Sequence, residues 1–178
     1  MKFRSGVAFV LMICLVCAGL VIGAYKGWSG ERTQVEQLQS SLDAMLGTRV
    51  ESAYNLLTVA RRHLPADDAL LSAVAADRDT LEGSAGLADK AAANARLTAD
   101  GKALLAALAA LDSVQQDDRD RMYVESYLPQ MLEESEEKTA GANYNLAAAQ
   151  FNSSLRGSLS GWLAMALGVR TAQEFAAN

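Results

Sequence analysis

The chain has 178 residues, 51% of them hydrophobic but only 6% aromatic, with two prolines and a net charge of −5. That length allows one domain with a real core, and the wealth of Ala and Leu with few breakers favours helices over sheets. Three of the 16 basic and none of the 21 acidic side chains precede Gly27, so the rest is more acidic than the whole and nucleic acid is excluded as a partner by repulsion.

Residues 6–25, "GVAFVLMICLVCAGLVIGAY", are uncharged and mostly apolar. As a helix rising about 1.5 Å per residue they span roughly 30 Å, a bilayer core. The apolar region of a cleaved signal peptide is shorter, about 7–15 residues. No small-x-small cleavage site follows, and neither Cys14 nor Cys17 has the surroundings of a lipoprotein signal. The expectation is an uncleaved anchor in the lipid bilayer, with a removed signal as the alternative. Tyr25 and Trp28 suit the interfacial belt and Lys26 the headgroups. Lys2 and Arg4 before the span balance Lys26 and Arg32 after it, and the free amino terminus tips the orientation toward a domain outside the cytoplasm. Gly19 and Gly23 form a small-xxx-small pair, which reads either as a packing face for a second span, and so a homo-oligomer, or as the ordinary abundance of Gly in membrane helices.

From Thr33 to Leu64 the apolar positions Val35, Leu38, Leu42, Leu46, Val50, Ala53, Leu57, Ala60 and Leu64 recur about every 3.6 residues, the period of a helix. Thr33 and Glu36 fit a capping box at its start; Arg61, Arg62 and His63 suit the dipole at its end, and Pro65 stops it. The pattern then predicts helices over about 66–97 with a break at 83–86, over 99–114 after a turn at Thr98–Lys102, and over 125–155. Short links between successive helices make neighbours antiparallel. The fold class is therefore all-α, an N-terminal transmembrane helix (1–30 with its flanks) followed by a long antiparallel four-helix bundle over 31–178.

The last segment, 157–176, opens with thirteen uncharged residues that include Leu159, Trp162, Leu163, Met165 and Leu167. The expectation is that it folds back to close the core. The alternative is an amphipathic element on lipid, although only Arg156 and Arg170 supply positive charge.

Nothing in the sequence assembles an active site, a cofactor site or a metal site. His63 is the one histidine, so any nucleophile–base pair would have to use it; its place beside two arginines reads as a helix cap. "GSLSG" at 157–161 has Leu159 where a nucleophile elbow needs Ser. The carboxylates at Asp117, Asp118 and Asp120 and at Glu133, Glu134, Glu136 and Glu137 match neither a calcium loop nor a di-iron bundle, and read as solvated faces.

An aromatic precedes Asn three times: Tyr54-Asn55, Tyr144-Asn145 and Phe151-Asn152. The last two pairs are seven apart and share a helix face. Asn is a poor helix former, so partly buried amides that bond across helices are the preferred reading, with Asn55 facing Asn145 and Asn152 as a register lock.

These residues carry a resemblance. "MLGTRVESAYNLLTVA" is similar to the L-x-R-R-x-D-L-I-P-N-L-V motif of the LemA family: Leu46, Arg49, Asn55 and Leu56 match, while Tyr54 replaces the Pro and one Arg stands for two. "YLPQML" is a loose counterpart of a later tyrosine–proline turn. Tyr144-Asn145, Phe151-Asn152, the apolar segment and Phe175 resemble the family's closing pattern, so the likeness runs over about residues 5–176. It implies a bacterial membrane-anchored protein with a long antiparallel bundle and no known enzyme activity. The resulting expectation is a non-enzymatic scaffold or interaction module whose protein partner the sequence does not name; a membrane-organising protein and a sensory or small-ligand-binding bundle are the alternatives.

Overall fold

The computed structural model describes residues 2–140 and 142–176, with side chains from residue 6 onward. The cations Lys2 and Arg4 that bear on orientation lie outside the described side chains, and Gly141, inside the helix expected over 125–155, lies outside the described residues. Among the described residues the chain is helical and contains no strand. The elements are α1 (Lys2–His63), α2 (Ala69–Glu82), α3 (Leu87–Ala109), α4 (Asp112–Gln115), α5 (Asp118–Met122), a π-helical turn (Tyr123–Tyr127), α6 (Leu128–Ala140), α7 (Tyr144–Gly157) and α8 (Leu159–Ala166). They divide into two compact units, Met1–Leu38 with Tyr144–Gln173, and Gln39–Asn143 with Glu174–Asn178.

Helix α1 is continuous where the sequence pattern predicts a separate anchor and bundle helix. No proline precedes Pro65, and each glycine costs a helix about 1 kcal/mol without removing a hydrogen bond. The capping box at Thr33 does not form. The Thr33 hydroxyl instead donates to the Ser29 carbonyl inside the helix at 3.0 Å, and Glu36 pairs with Arg32 one turn back. The predicted end holds: Arg61, Arg62 and His63 occupy the last turn, before Pro65.

In the second unit α1 contributes a buried stripe of Leu42, Leu46, Ala53, Leu56, Leu57 and Ala60. Helix α2 starts at Ala69, later than expected, because the Asp68 carboxylate accepts from Leu70 and Leu71 N–H and so sets the N-terminus. The break at 83–86 is present, with the Gly83 N–H closing on the Asp79 carbonyl. The turn expected at Thr98–Lys102 is absent, and α3 runs through it. Gly101 is buried inside α3, where a Cβ would meet Leu132 Cδ1 at 3.4 Å and Leu56 Cδ2 at 3.8 Å, ordinary van der Waals contact. Helix 99–114 accordingly does not begin anew but ends α3 at Ala109.

Pro129 lies inside a helix. It has no N–H for the carbonyl four residues back, and its ring crowds that carbonyl. The π-helical turn just before it widens the backbone, with the Leu128 N–H reaching five residues back to Tyr123. The helix expected over 125–155 is interrupted between Ala140 and Tyr144, where Asn143 follows Ala142 and the Ala142 N–H bonds to Thr139.

Replacing Gly101 by Ala should raise stability by about 0.5–1 kcal/mol, because a helix gains from losing Gly and the methyl meets only ordinary contact. Urea unfolding of the detergent-solubilised full chain, followed by far-UV circular dichroism, reads this out. A loss of stability would restore the turn.

Candidate functional site

In the first unit α7 buries Tyr144, Ala148, Phe151, Asn152 and Leu155 on one stripe. This face holds a tail that has no regular structure after α8. The Ala172 N–H donates to Asn152 Oδ1 at 2.7 Å, and Asn152 Nδ2 donates to the Ala172 carbonyl at 2.9 Å. The Tyr144 hydroxyl donates to the Gln173 carbonyl. Buried backbone groups outside a helix need partners, and one planar amide supplies both for Ala172.

The tail reaches this position through a turn at Gly168, whose φ of +102° favours glycine. Helix α8 is capped by Ser158, whose hydroxyl accepts from the Gly161 N–H at 3.0 Å. Gly161 lies against α7's last turn, where a Cβ would run into the Leu155 carbonyl. The two glycines of "GSLSG" thus serve close packing and a helix junction. Trp28 of α1 completes the unit. Its ring meets Phe151 edge-on at 6.0 Å between centroids, and its Nε1 donates to Ser160 Oγ at 3.3 Å.

The core-closing role expected of 157–176 falls to its small side chains. Gly161, Ala164, Val169 and Ala172 are buried and Met165 is half-buried, whereas Leu159, Trp162, Leu163 and Leu167 are exposed. Gly19 and Gly23 also face outward, and a Cβ on either would meet nothing within 4 Å.

The three aromatic–Asn pairs part company. Tyr144, Phe151 and Asn152 are buried, while Asn145 is exposed, about 100° round the helix from Tyr144. Tyr54 and Asn55 are exposed in the second unit and line a groove with Val50, Glu51, Arg78 and Glu82. The Asn152 amide is taken up by Ala172, whose backbone offers a donor and an acceptor together. Asn152 thus clamps the tail.

The polar centre of the second unit is Arg49, fully buried on the α1 stripe. Nε donates to Asn94 Oδ1 at 2.9 Å. Nη1 donates to the Leu132 carbonyl at 3.1 Å and Ser135 Oγ at 3.3 Å. Nη2 donates to the Asn94 carbonyl at 3.2 Å and Thr98 Oγ1 at 2.6 Å. Its five N–H donors are all used, and α1, α3 and α6 are joined at one point. Burial lowers the Arg49 pKa, opposed by the field of Glu136. Nothing in the helical periodicity marks this residue as buried.

At the end of α1, Asp120 is buried and receives Arg62 Nη1 at 2.7 and 3.0 Å and His63 Nε2 at 2.9 Å. His63 Nδ1 lies 3.1 Å from Ser113 Oγ. A hydroxyl, an imidazole and a carboxylate are therefore in line, with Arg62 already pairing the carboxylate. Asp117 caps α5 by accepting from Arg119 and Asp120 N–H, and the Asp120 N–H is the main reason its carboxyl is held below the usual range. Asp118 pairs with Arg121 and Glu136 with Lys102, so these acidic residues are capping and pairing groups. Asp77 is a second buried acid; burial pushes its carboxyl up, and Arg96, bonded at 2.8–2.9 Å, opposes that. Among the described residues no three His, Cys, Asp or Glu side chains converge as a metal site would require.

No family model matches the chain, and no curated protein matches it.

Three substitutions check these networks in unfolding experiments on the solubilised full chain. Asn152→Ala leaves both Ala172 groups unpaired and should cost about 1–3 kcal/mol. It should also speed tryptic cleavage after Arg170; an unchanged cleavage rate would mean that the amide does not hold the tail. Arg49→Met should cost about 1–3 kcal/mol through stranded acceptors. Arg49→Lys should recover only part of this, because an ammonium has three donors where the guanidinium has five.

Proposed function

We propose that this chain is a LemA-like, single-pass protein of a bacterial inner membrane, and that its helical part is a scaffold or protein-interaction module without catalytic activity. The observation that carries the reading is α1. It is long and apolar enough to cross a membrane, and none of its most apolar window is buried in the folded chain. An exposed surface of that hydropathy in water would be far larger than a soluble monomer tolerates. The same helix then continues without a break into the stripe that carries Arg49.

The proposal extends to the second unit as an antiparallel four-helix bundle. Its helices are the C-terminal half of α1, then α2, then α3, and the α5–α6 stretch bent at its π turn. Their short links, 64–68, 83–86 and 110–117, favour alternating directions. Arg49, which the family resemblance singles out, ties three of these four together. The cluster of Arg62, His63, Asp120 and Ser113 reads as a clasp that ties the end of α1 to α5 and to the link that follows α3. The paired glycines Gly19 and Gly23 leave room for a second span, which supports a homo-oligomer. The orientation proposed places the helical part outside the cytoplasm.

Alkaline carbonate extraction of membranes tests the anchor. The protein is expected in the pellet at its full length. Recovery in the soluble fraction, or as a form shortened by removal of the first 25 or so residues, as a cleaved signal would be, overturns the proposal.

A further inference from the structure

Helix α8 is built inside out for a protein in water. Its small residues Gly161 and Ala164 face inward, and its large apolar ones face outward. Leu159 is 82% exposed and Trp162 64%, and with Leu163 and Leu167 they recur at the spacing of one helix face. Residues 157–169 carry no charge at all. A cluster of this kind requires a cover.

What covers it follows from where α8 is held. Trp28, bonded to Ser160, lies three residues beyond the predicted span, about 4.5 Å further along the axis and so at headgroup depth. Val21 and Ala24 share a face with Trp28 and are half-buried, whereas the other described side chains from residue 6 to 27 are exposed. The packed face of α1 thus continues two turns into the apolar stretch. The indole of Trp162 already donates its N–H to the Arg156 carbonyl at 2.9 Å, so its exposed ring can enter an apolar phase without losing a hydrogen bond. Lys26, Arg156 and Arg170, all exposed, flank the apolar face with positive charge suited to lipid phosphates.

The geometry points to a second membrane contact: the α8 face formed by Leu159, Trp162, Leu163 and Leu167 is seated in the interfacial layer of the same bilayer that α1 crosses, on the side where the span ends. The contact rests on the membrane-anchor reading and adds to it a fixed seat for α7 and the tail. Because the face itself is uncharged, apolar burial drives the contact, and phosphatidylcholine alone suffices.

The two tryptophans of the chain make the test direct. The full-length protein is reconstituted in phosphatidylcholine vesicles whose acyl chains are brominated near the glycerol end. In Trp28→Phe, the remaining Trp162 should lose about half of its emission or more to the brominated chains and stay largely hidden from aqueous iodide, with or without anionic lipid. Trp162→Phe leaves Trp28 as a reporter of the span. Quenching of Trp28 without quenching of Trp162 overturns the α8 contact and leaves the anchor standing; quenching of neither overturns the anchor itself. Since Trp28→Phe removes the bond to Ser160, the unaltered protein is measured as well. Its fractional loss should match or exceed that of Trp162→Phe, and a loss about half as large places Trp162 in water and overturns the contact.

Discussion

A guanidinium buried in a helical core without a carboxylate against it has to find a neutral acceptor for every N–H. Arg49 meets that condition only if α1, α3 and α6 stand in one register, since its acceptors are Asn94 and Thr98 on one helix and Leu132 and Ser135 on another. Sliding any of the three by a turn, about 5.4 Å, would strand a charge in a low-dielectric interior. Leu packing alone is far less discriminating, because an Ala- and Leu-rich face offers similar contacts after a one-turn shift. Arg49 therefore gives uniqueness to a surface whose apolar part is repetitive.

The other unit solves a different problem with a related device. Its tail has no helix to satisfy the backbone groups of Ala172 and Gln173, and no strand to pair with. Asn152 presents a donor and an acceptor in one plane, as a neighbouring peptide group would, and Tyr144 takes up the next carbonyl. The cost of burying an amide on an apolar stripe is offset because the tail's own polar groups are buried with it.

Much of the architecture is legible in local chemistry. The apolar run, the all-helical character, the end of α1 at its three basic residues before Pro65, and the break at 83–86 all follow from period, capping and breakers. The differences lie at residues whose local preference does not decide their surroundings. Gly101 looks like a turn residue but lies buried inside α3. Thr33 looks like a cap but is absorbed by an uninterrupted helix. The Asn152 amide is satisfied by a tail twenty residues downstream. Arg49 sits one place before Val50, which periodicity selects for the stripe, and no propensity scale would bury it. The Phe151-Asn152 spacing does reveal a special face on α7, but the identity of what that face holds depends on the Gly168 turn, which returns the chain to it.

Helix α8 takes the argument furthest from periodicity. An amphipathic helix in water buries its large side chains because each removes more apolar area than a small one. Leu159 and Trp162 outside with Gly161 and Ala164 inside reverse that order, and the reversal is not free to correct itself. Gly161 is fixed against the Leu155 carbonyl, so rotating α8 to turn its large residues inward would drive a side chain into backbone. The close contact that docks α8 on α7 is thus what presents its apolar face outward. Such an arrangement is costly for a chain surrounded by water and becomes favourable when the surroundings on that side are apolar.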